Sequence, residues 1–164
     1  FPGLQGGPHM NAVAAIAITL GKAQTESFRQ YARDVLTNAK ALANALLGAQ
    51  ASLVTGGTDN HMLVLDTVKS FGLDGRKAEE TLDAVSITTN KQIIPDDPNP
   101  PLRPSGIRVG TPAATARGMT ADDMERLADW MVRALQAADD ASRLAEIDAE
   151  VRAFCEQFPV PGID

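Results

Sequence analysis

Apolar residues recur at helical spacing in five segments of the chain and alternate at strand spacing in four shorter segments. The predicted helices cover residues 8–22, 26–47 and 74–85, a segment that follows Thr120, and a last segment with an apolar stripe from Leu144 to Phe158. The predicted strands cover residues 52–55, 61–68 and 86–89, and a fourth short strand, bounded by glycines, lies within residues 105–112. This order predicts an α/β fold, in which helices pack on one side of a small mixed or antiparallel sheet.

The first predicted helix is apolar on all sides. Between Ala12 and Leu20 the only polar residue is Thr19. A helix without a polar face must be covered all round, so we expect another domain or subunit to pack on it. The next helix is about 22 residues long and could reach about 33 Å, which is enough to bridge two domains.

Several helix ends are marked by capping residues. Thr25 and Asp74 are expected N-caps, and Thr120 with Asp123 forms a capping-box pattern. Gly48 is expected to end the second helix.

The segment from Ser105 to Pro112 places an arginine on a short strand bounded by glycines. Side chains alternate across a strand, so Ile107 and Val109 face the core and Arg108 faces the opposite side. A planar guanidinium fixed on a rigid strand suits bidentate binding of a carboxylate or phosphate. The alternative is an ordinary surface arginine on an exposed sheet face.

Two loops and one histidine are further candidates for a site. A glycine-rich loop precedes the first helix, and the N–H groups of Gly6 and Gly7 could bind an anion there; the alternative is a tight turn that needs positive φ. Five prolines stiffen residues 90–104, which are predicted to form an ordered loop without regular structure. His61 at a strand edge is either a catalytic base or a hydrogen-bonded structural histidine.

Charge and composition argue against several classes of protein. The formal net charge is −6 and no basic stripe occurs, so a nucleic-acid partner is not expected. The single cysteine, Cys155, fits a reducing compartment, and the two histidines are too far apart to suggest a metal site. No apolar run is long enough to span a bilayer. Because the chain starts at Phe1 and not at methionine, we expect it to be a piece of something longer.

Four segments closely resemble the serine hydroxymethyltransferase family, in the family's order and spacing. They are residues 1–11 (FPGLQGGPHMN), residues 56–61 (GGTDNH), Asn90-Lys91 with Pro95, and residues 105–113 (SGIRVGTPA). The resemblance covers essentially the whole chain. It implies the C-terminal portion of a fold-type I pyridoxal-phosphate enzyme, a cytoplasmic homodimer that interconverts serine and glycine with tetrahydrofolate as the one-carbon acceptor. Residues 1–24 would then be a remnant of the large domain, and residues 25–164 the small C-terminal domain with its connecting helix.

The resemblance also implies roles for residues that match the family's motifs. Arg108 would bind the substrate carboxylate, and Gly6 and Gly7 would reach the cofactor phosphate across the dimer interface. Folate would bind at a larger set of positions: Phe1, Gln92, Pro100, Pro101 and Leu102. Gln92 stands where the family usually has an asparagine, and it keeps the amide while adding a methylene.

The family's Schiff-base lysine lies in a threonine-rich motif followed by His-Lys, upstream of where this chain begins. No such motif occurs in the sequence, so no catalytic residue is assigned and the piece alone is predicted to be inactive. Its partners would be the missing N-terminal part of the same protein, serine, glycine and tetrahydrofolate. Two alternatives stay open: a non-catalytic module that binds a small anion, and a dimerisation module.

Overall fold

The computed structural model describes residues 3–4 and 6–162. The chain divides into two compact units, Phe1–Arg33 and Asp34–Asp164, with the boundary inside the second helix. The helices are α1 (Met10–Ala23), α2 (Glu26–Gly48), α3 (Thr67–Phe71), α4 (Gly75–Asp83), α5 (Pro112–Ala116), α6 (Ala121–Gln136) and α7 (Ala141–Cys155). The strands are β1 (Ser52–Leu53), β2 (Met62–Asp66), β3 (Asn90–Gln92) and β4 (Gly106–Gly110).

The first unit contains α1 and the beginning of α2. No residue of α1 is buried, and its large apolar side chains are mostly exposed. The helix begins two residues later than predicted, because His9 has an extended backbone and its carbonyl accepts the first helical hydrogen bond. Thr25 caps α2 as predicted, since its hydroxyl accepts the N–H of Phe28 at 3.3 Å. No described helix has the length and hydropathy needed to cross a membrane.

The second unit is built on one antiparallel sheet with the strand order β1-β2-β4-β3. The antiparallel alternative of the sequence prediction is therefore confirmed. One face of the sheet supplies Leu53, Leu63, Leu65, Ile107 and Val109 to the core. Four helices complete the same core with buried apolar side chains: Leu42 and Leu46 of α2, Leu82 of α4, Met124 and Met131 of α6, and Ile147 and Val151 of α7.

The third strand was predicted four residues too early. Residues 86–89 are not a strand, because Ser86 has φ 60° and the N–H groups of Val85 and Ile87 bond back to Leu82. The strand is Asn90–Gln92, which lies inside the segment predicted to be an irregular loop. Its pairing with β4 stabilises it, although its own residues are polar.

Two short helices were not predicted. Helix α3 begins where β2 was expected to continue, because the Asp66 carboxylate accepts the N–H of Lys69 at 2.9 Å, and it ends at Gly72 in the left-handed conformation. Helix α5 follows β4 directly, with Pro112 in its first turn. The predicted caps of α4 and α6 are confirmed, at Asp74 and at Thr120 with Asp123.

Helix α4 approaches the Arg108 strand at a contact between backbones. The Gly75 N–H donates to the carbonyl of Pro104 at 2.6 Å. A Cβ on Gly75 would overlap the Gly106 carbonyl oxygen, and one on Gly106 would lie 2.8 Å from the Leu65 carbonyl oxygen. Because only hydrogen fits at Gly75, this glycine fixes how closely α4 packs against the strand, whereas the missing side chain of Gly106 makes room for the backbone of β2.

Candidate active site

Arg108 lies in the middle of β4, opposite Asn90 of β3 and Val64 of β2. Its neighbours Ile107 and Val109 are buried at 0% and 6% exposure, whereas Arg108 is exposed. The predicted alternation is thus confirmed. Because β4 pairs with β2 on one side and with β3 on the other, the backbone of Arg108 is held in place. Its side chain projects from the face of the sheet opposite the core.

A hydrogen bond orients the guanidinium. Nε of Arg108 donates to Oδ1 of Asn90 at 3.1 Å. The Asn90 amide is itself fixed, because its Nδ2 donates to the carbonyl of Lys91 at 3.0 Å. None of the ion pairs among the described residues involves Arg108. The two terminal nitrogens therefore form a fork that can take a carboxylate in the bidentate geometry.

Arg108 lines a cavity of about 530 Å³. The other lining residues are His61, Met62, Thr88, Thr89, Asn90 and Gly110. The imidazole of His61 is exposed and forms no hydrogen bond with the described residues, so the structure does not support the hydrogen-bonded structural histidine. The Thr89 hydroxyl is buried without a hydrogen-bond partner among the described residues. A larger cavity of about 710 Å³ lies between α2 and the β1–β2 loop, and it contains no arginine.

Register places one predicted folate residue beside the arginine. Gln92 pairs with Gly106, and Asn90 pairs with Arg108, so both β3 side chains project from the same face as Arg108. The amide nitrogen of Gln92 donates to the carbonyl of Ile93 at 3.1 Å. Three other predicted folate residues, Pro100, Pro101 and Leu102, are exposed on the loop that joins β3 to β4. Phe1 lies outside the described residues.

Gly6 and Gly7 belong to the other unit and are exposed before α1. Gly7 has φ 79°, and nothing lies within 4 Å of where its Cβ would be. No side chain caps the N-terminus of α1. Free N–H groups near a helix N-terminus can bind an anion such as a phosphate. The positive φ of Gly7 is equally what a tight turn without a ligand requires.

Sequence reasoning missed the role of Asn90 and the contacts of Asp97. The sequence shows Asn90 only as part of a motif, because its position opposite Arg108 depends on the register of β3. In the sequence Asp97 is one residue of a stiff loop, yet in the structure its carboxylate accepts four hydrogen bonds. An aspartate between prolines is a weak sequence signal for such a contact set.

Comparison with known proteins identifies the family. The family model for serine hydroxymethyltransferase matches residues 1–131. Serine hydroxymethyltransferase from Sorangium cellulosum (strain So ce56) is 49% identical over 99% of this chain, and that from Rhodopirellula baltica is 48% identical over 99%. Serine hydroxymethyltransferase 2 from Mesorhizobium japonicum is 47% identical over 99%. The chain spans 38%, 38% and 37% of the length of these three relatives. It belongs to the serine hydroxymethyltransferase family.

Proposed function

We propose that this chain is the C-terminal part of a serine hydroxymethyltransferase that interconverts serine and glycine with tetrahydrofolate, and that Arg108 binds the substrate carboxylate. The observation that carries the proposal is the oriented fork of Arg108, held at Nε by Asn90 and open at its two terminal nitrogens. Serine and glycine both carry an α-carboxylate, which is the planar group that such a fork matches.

The surroundings of Arg108 support a small ligand. The cavity of about 530 Å³ has a size suited to a small molecule, and its polar groups converge from β3, β4 and the start of β2. None of the five lysines in the sequence lines it. We therefore assign to this part of the chain the binding and orientation of substrate, and not the covalent attachment of a cofactor.

Pyridoxal phosphate would supply an electron sink when bound to the intact enzyme. The chain's own contribution would be the N–H groups of Gly6 and Gly7, which would hold the phosphate across the interface of a homodimer. The uncapped N-terminus of α1 and the open backbone at Gly7 fit that role. We expect the enzyme to be cytoplasmic, in keeping with the single cysteine of this chain.

Tetrahydrofolate would lie along the open side of β3 and the proline-rich loop. Gln92 would present its amide to the ring of the folate, while Pro100, Pro101 and Leu102 would supply apolar contact. Leu102 is 77% exposed, which leaves its side chain accessible to a ligand.

The experiment is an assay of the full-length protein that contains this chain, beside the 164-residue chain alone. We expect the full-length protein with pyridoxal phosphate to convert serine to glycine in a tetrahydrofolate-dependent reaction. The chain alone should be inactive, and borohydride should not attach pyridoxal phosphate to any one of its lysines. Serine binding by the full-length protein without turnover would favour the small-anion module, and no serine binding would refute the proposed site.

A further inference from the structure

The Asp97 carboxylate is the hydrogen-bond centre of the loop between β3 and β4. Oδ2 accepts the N–H of Ile94 at 3.2 Å and that of Ser105 at 2.9 Å. Oδ1 accepts the N–H of Asn99 at 2.9 Å and the hydroxyl of Ser105 at 2.7 Å. The four donors use both oxygens twice, which only an ionised carboxylate can satisfy.

These contacts join the two ends of the loop. Ile94 lies two residues after β3, and Ser105 lies one residue before β4. Ser105 is 2% exposed, and its hydroxyl also accepts the amide of Asn99 at 2.9 Å, so the closure includes a buried group. The segment between the two ends carries Pro100, Pro101 and Leu102. Strand pairing already brings the two ends together at Gln92 and Gly106, and the Asp97 side chain adds four hydrogen bonds that tie the residues between them to this closure.

The charge state of Asp97 agrees with this geometry. Desolvation of the carboxylate raises its pKa. The hydrogen bonds from the Ser105 side chain and from the backbone of Ser105, Asn99 and Ile94 lower the pKa, and together they outweigh the desolvation. The net result is a pKa well below the usual range of an aspartate. The carboxylate therefore stays ionised throughout the pH range in which an assay is run.

We propose that Asp97 is a positioning residue for the folate, because it holds the loop that carries Pro100, Pro101 and Leu102 in one conformation. This inference rests on the proposed function. Asp97 itself need not touch the ligand. Its effect is confined to the loop, since Arg108 is oriented by Asn90 and by the pairing of β4 with β2 and β3. Loss of the Asp97 contacts should therefore weaken folate binding and leave serine binding unchanged.

The informative variant is Asp97→Asn in the full-length enzyme. An amide has one oxygen, so in either orientation its NH₂ group faces a backbone N–H that the carboxylate accepted, namely that of Asn99 or those of Ile94 and Ser105. The matched control is Asp96→Asn. Asp96 is the exposed neighbour, it has φ 54°, which asparagine tolerates well, and its side chain forms no hydrogen bond with the described residues.

Three quantities are measured for both variants: KM for tetrahydrofolate, the dissociation constant of serine, and the amide exchange rates of Ile94, Asn99 and Ser105. We expect Asp97→Asn to raise KM for tetrahydrofolate about 10- to 100-fold and to speed exchange at the three amides, with the serine constant unchanged. Asp96→Asn should behave as wild type in all three.

Two outcomes would overturn the inference. An unchanged KM for tetrahydrofolate with faster exchange would show that the loop conformation does not matter for folate. Parallel loss of serine binding, folate binding and thermal stability would show a general structural role. Failure of the proposed function looks different, because wild type itself would then lack folate-dependent turnover, and the inference would fall with it.

Discussion

Replacing Gly75 with alanine should move helix α4 away from the Arg108 strand. The added methyl would overlap the carbonyl oxygen of Gly106 and lie 3.0 Å from that of Pro104. Both obstacles are backbone atoms, which cannot rotate away as a side chain can. To restore ordinary van der Waals contact the helix must shift by about 1 Å. That shift stretches the hydrogen bond from Gly75 to Pro104, now 2.6 Å long, and loosens Ala78 and Leu82, both of which are completely buried.

The size of the effect follows from these contacts. Overpacking by one methyl group costs about 1–3 kcal/mol, and a weakened hydrogen bond adds about 1 kcal/mol. Alanine recovers a few tenths of a kcal/mol of helix propensity at most, because position 75 is the first residue of α4. We expect the free energy of unfolding to fall by about 2–4 kcal/mol. With a urea m-value of about 2 kcal/mol/M, the midpoint should fall by about 1–2 M.

The assay is urea unfolding of the 164-residue chain, followed by the fluorescence of Trp130. This residue is the only tryptophan of the chain, and it is 5% exposed in the second unit. Gly48→Ala is the matched control. Gly48 is the last residue of α2, and nothing lies within 4 Å of its added Cβ, so its midpoint should stay within about 0.3 M of wild type. Equal midpoints for Gly75→Ala and wild type would refute the close backbone packing of α4 against β4.

Two further predictions concern single side chains. Asn90→Ala should raise KM for serine about tenfold in the full-length enzyme, because the Arg108 fork loses the hydrogen bond at Nε; an unchanged KM would show that the fork needs no partner. Hydrogen bonds from Arg133 and then Trp130 lower the pKa of Glu150 from 4.5 to about 2, so its contribution to stability is complete above about pH 5 and is lost as the pH falls toward 2. Glu150→Gln should therefore unfold at a lower urea midpoint than wild type at pH 7 and lose less between pH 5 and pH 2, whereas the exposed control Glu156→Gln should follow wild type.

Local patterns were sufficient to predict much of the fold. The alternation of Ile107, Arg108 and Val109 identified the strand and its two faces, and capping residues located the starts of α4 and α6. The strand prediction for residues 86–89 was wrong because it rested on their β-branched side chains, which favour strands. In the structure Ser86 has a positive φ in the turn after α4, and Ile87 is buried next to that turn. Strand β3 is polar and owes its conformation to β4, which no local pattern encodes.

Only part of the candidate site could be predicted from the sequence, because the rest depends on the pairing of β3 with β4. Arg108 could be proposed from its own strand. The contact of Asn90 with Arg108 depends on the strand register, and the contacts of Asp97 depend on how the loop folds back on Ser105. Contacts between residues 8 and 18 positions apart depend on the tertiary fold and not on spacing within one element.

The most direct test of the proposed function is the serine kinetics of Arg108→Lys in the full-length enzyme. Lysine keeps the positive charge but loses the planar fork and the Nε that Asn90 holds, so it is not a conservative change here. The control is Arg152→Lys, an exposed arginine on α7 that pairs with Asp148. We predict that kcat/KM for serine falls roughly 30- to 1000-fold in Arg108→Lys, with cofactor content unchanged, and that Arg152→Lys matches wild type. Wild-type serine kinetics in Arg108→Lys would show that Arg108 is an ordinary surface arginine and would contradict the proposed site.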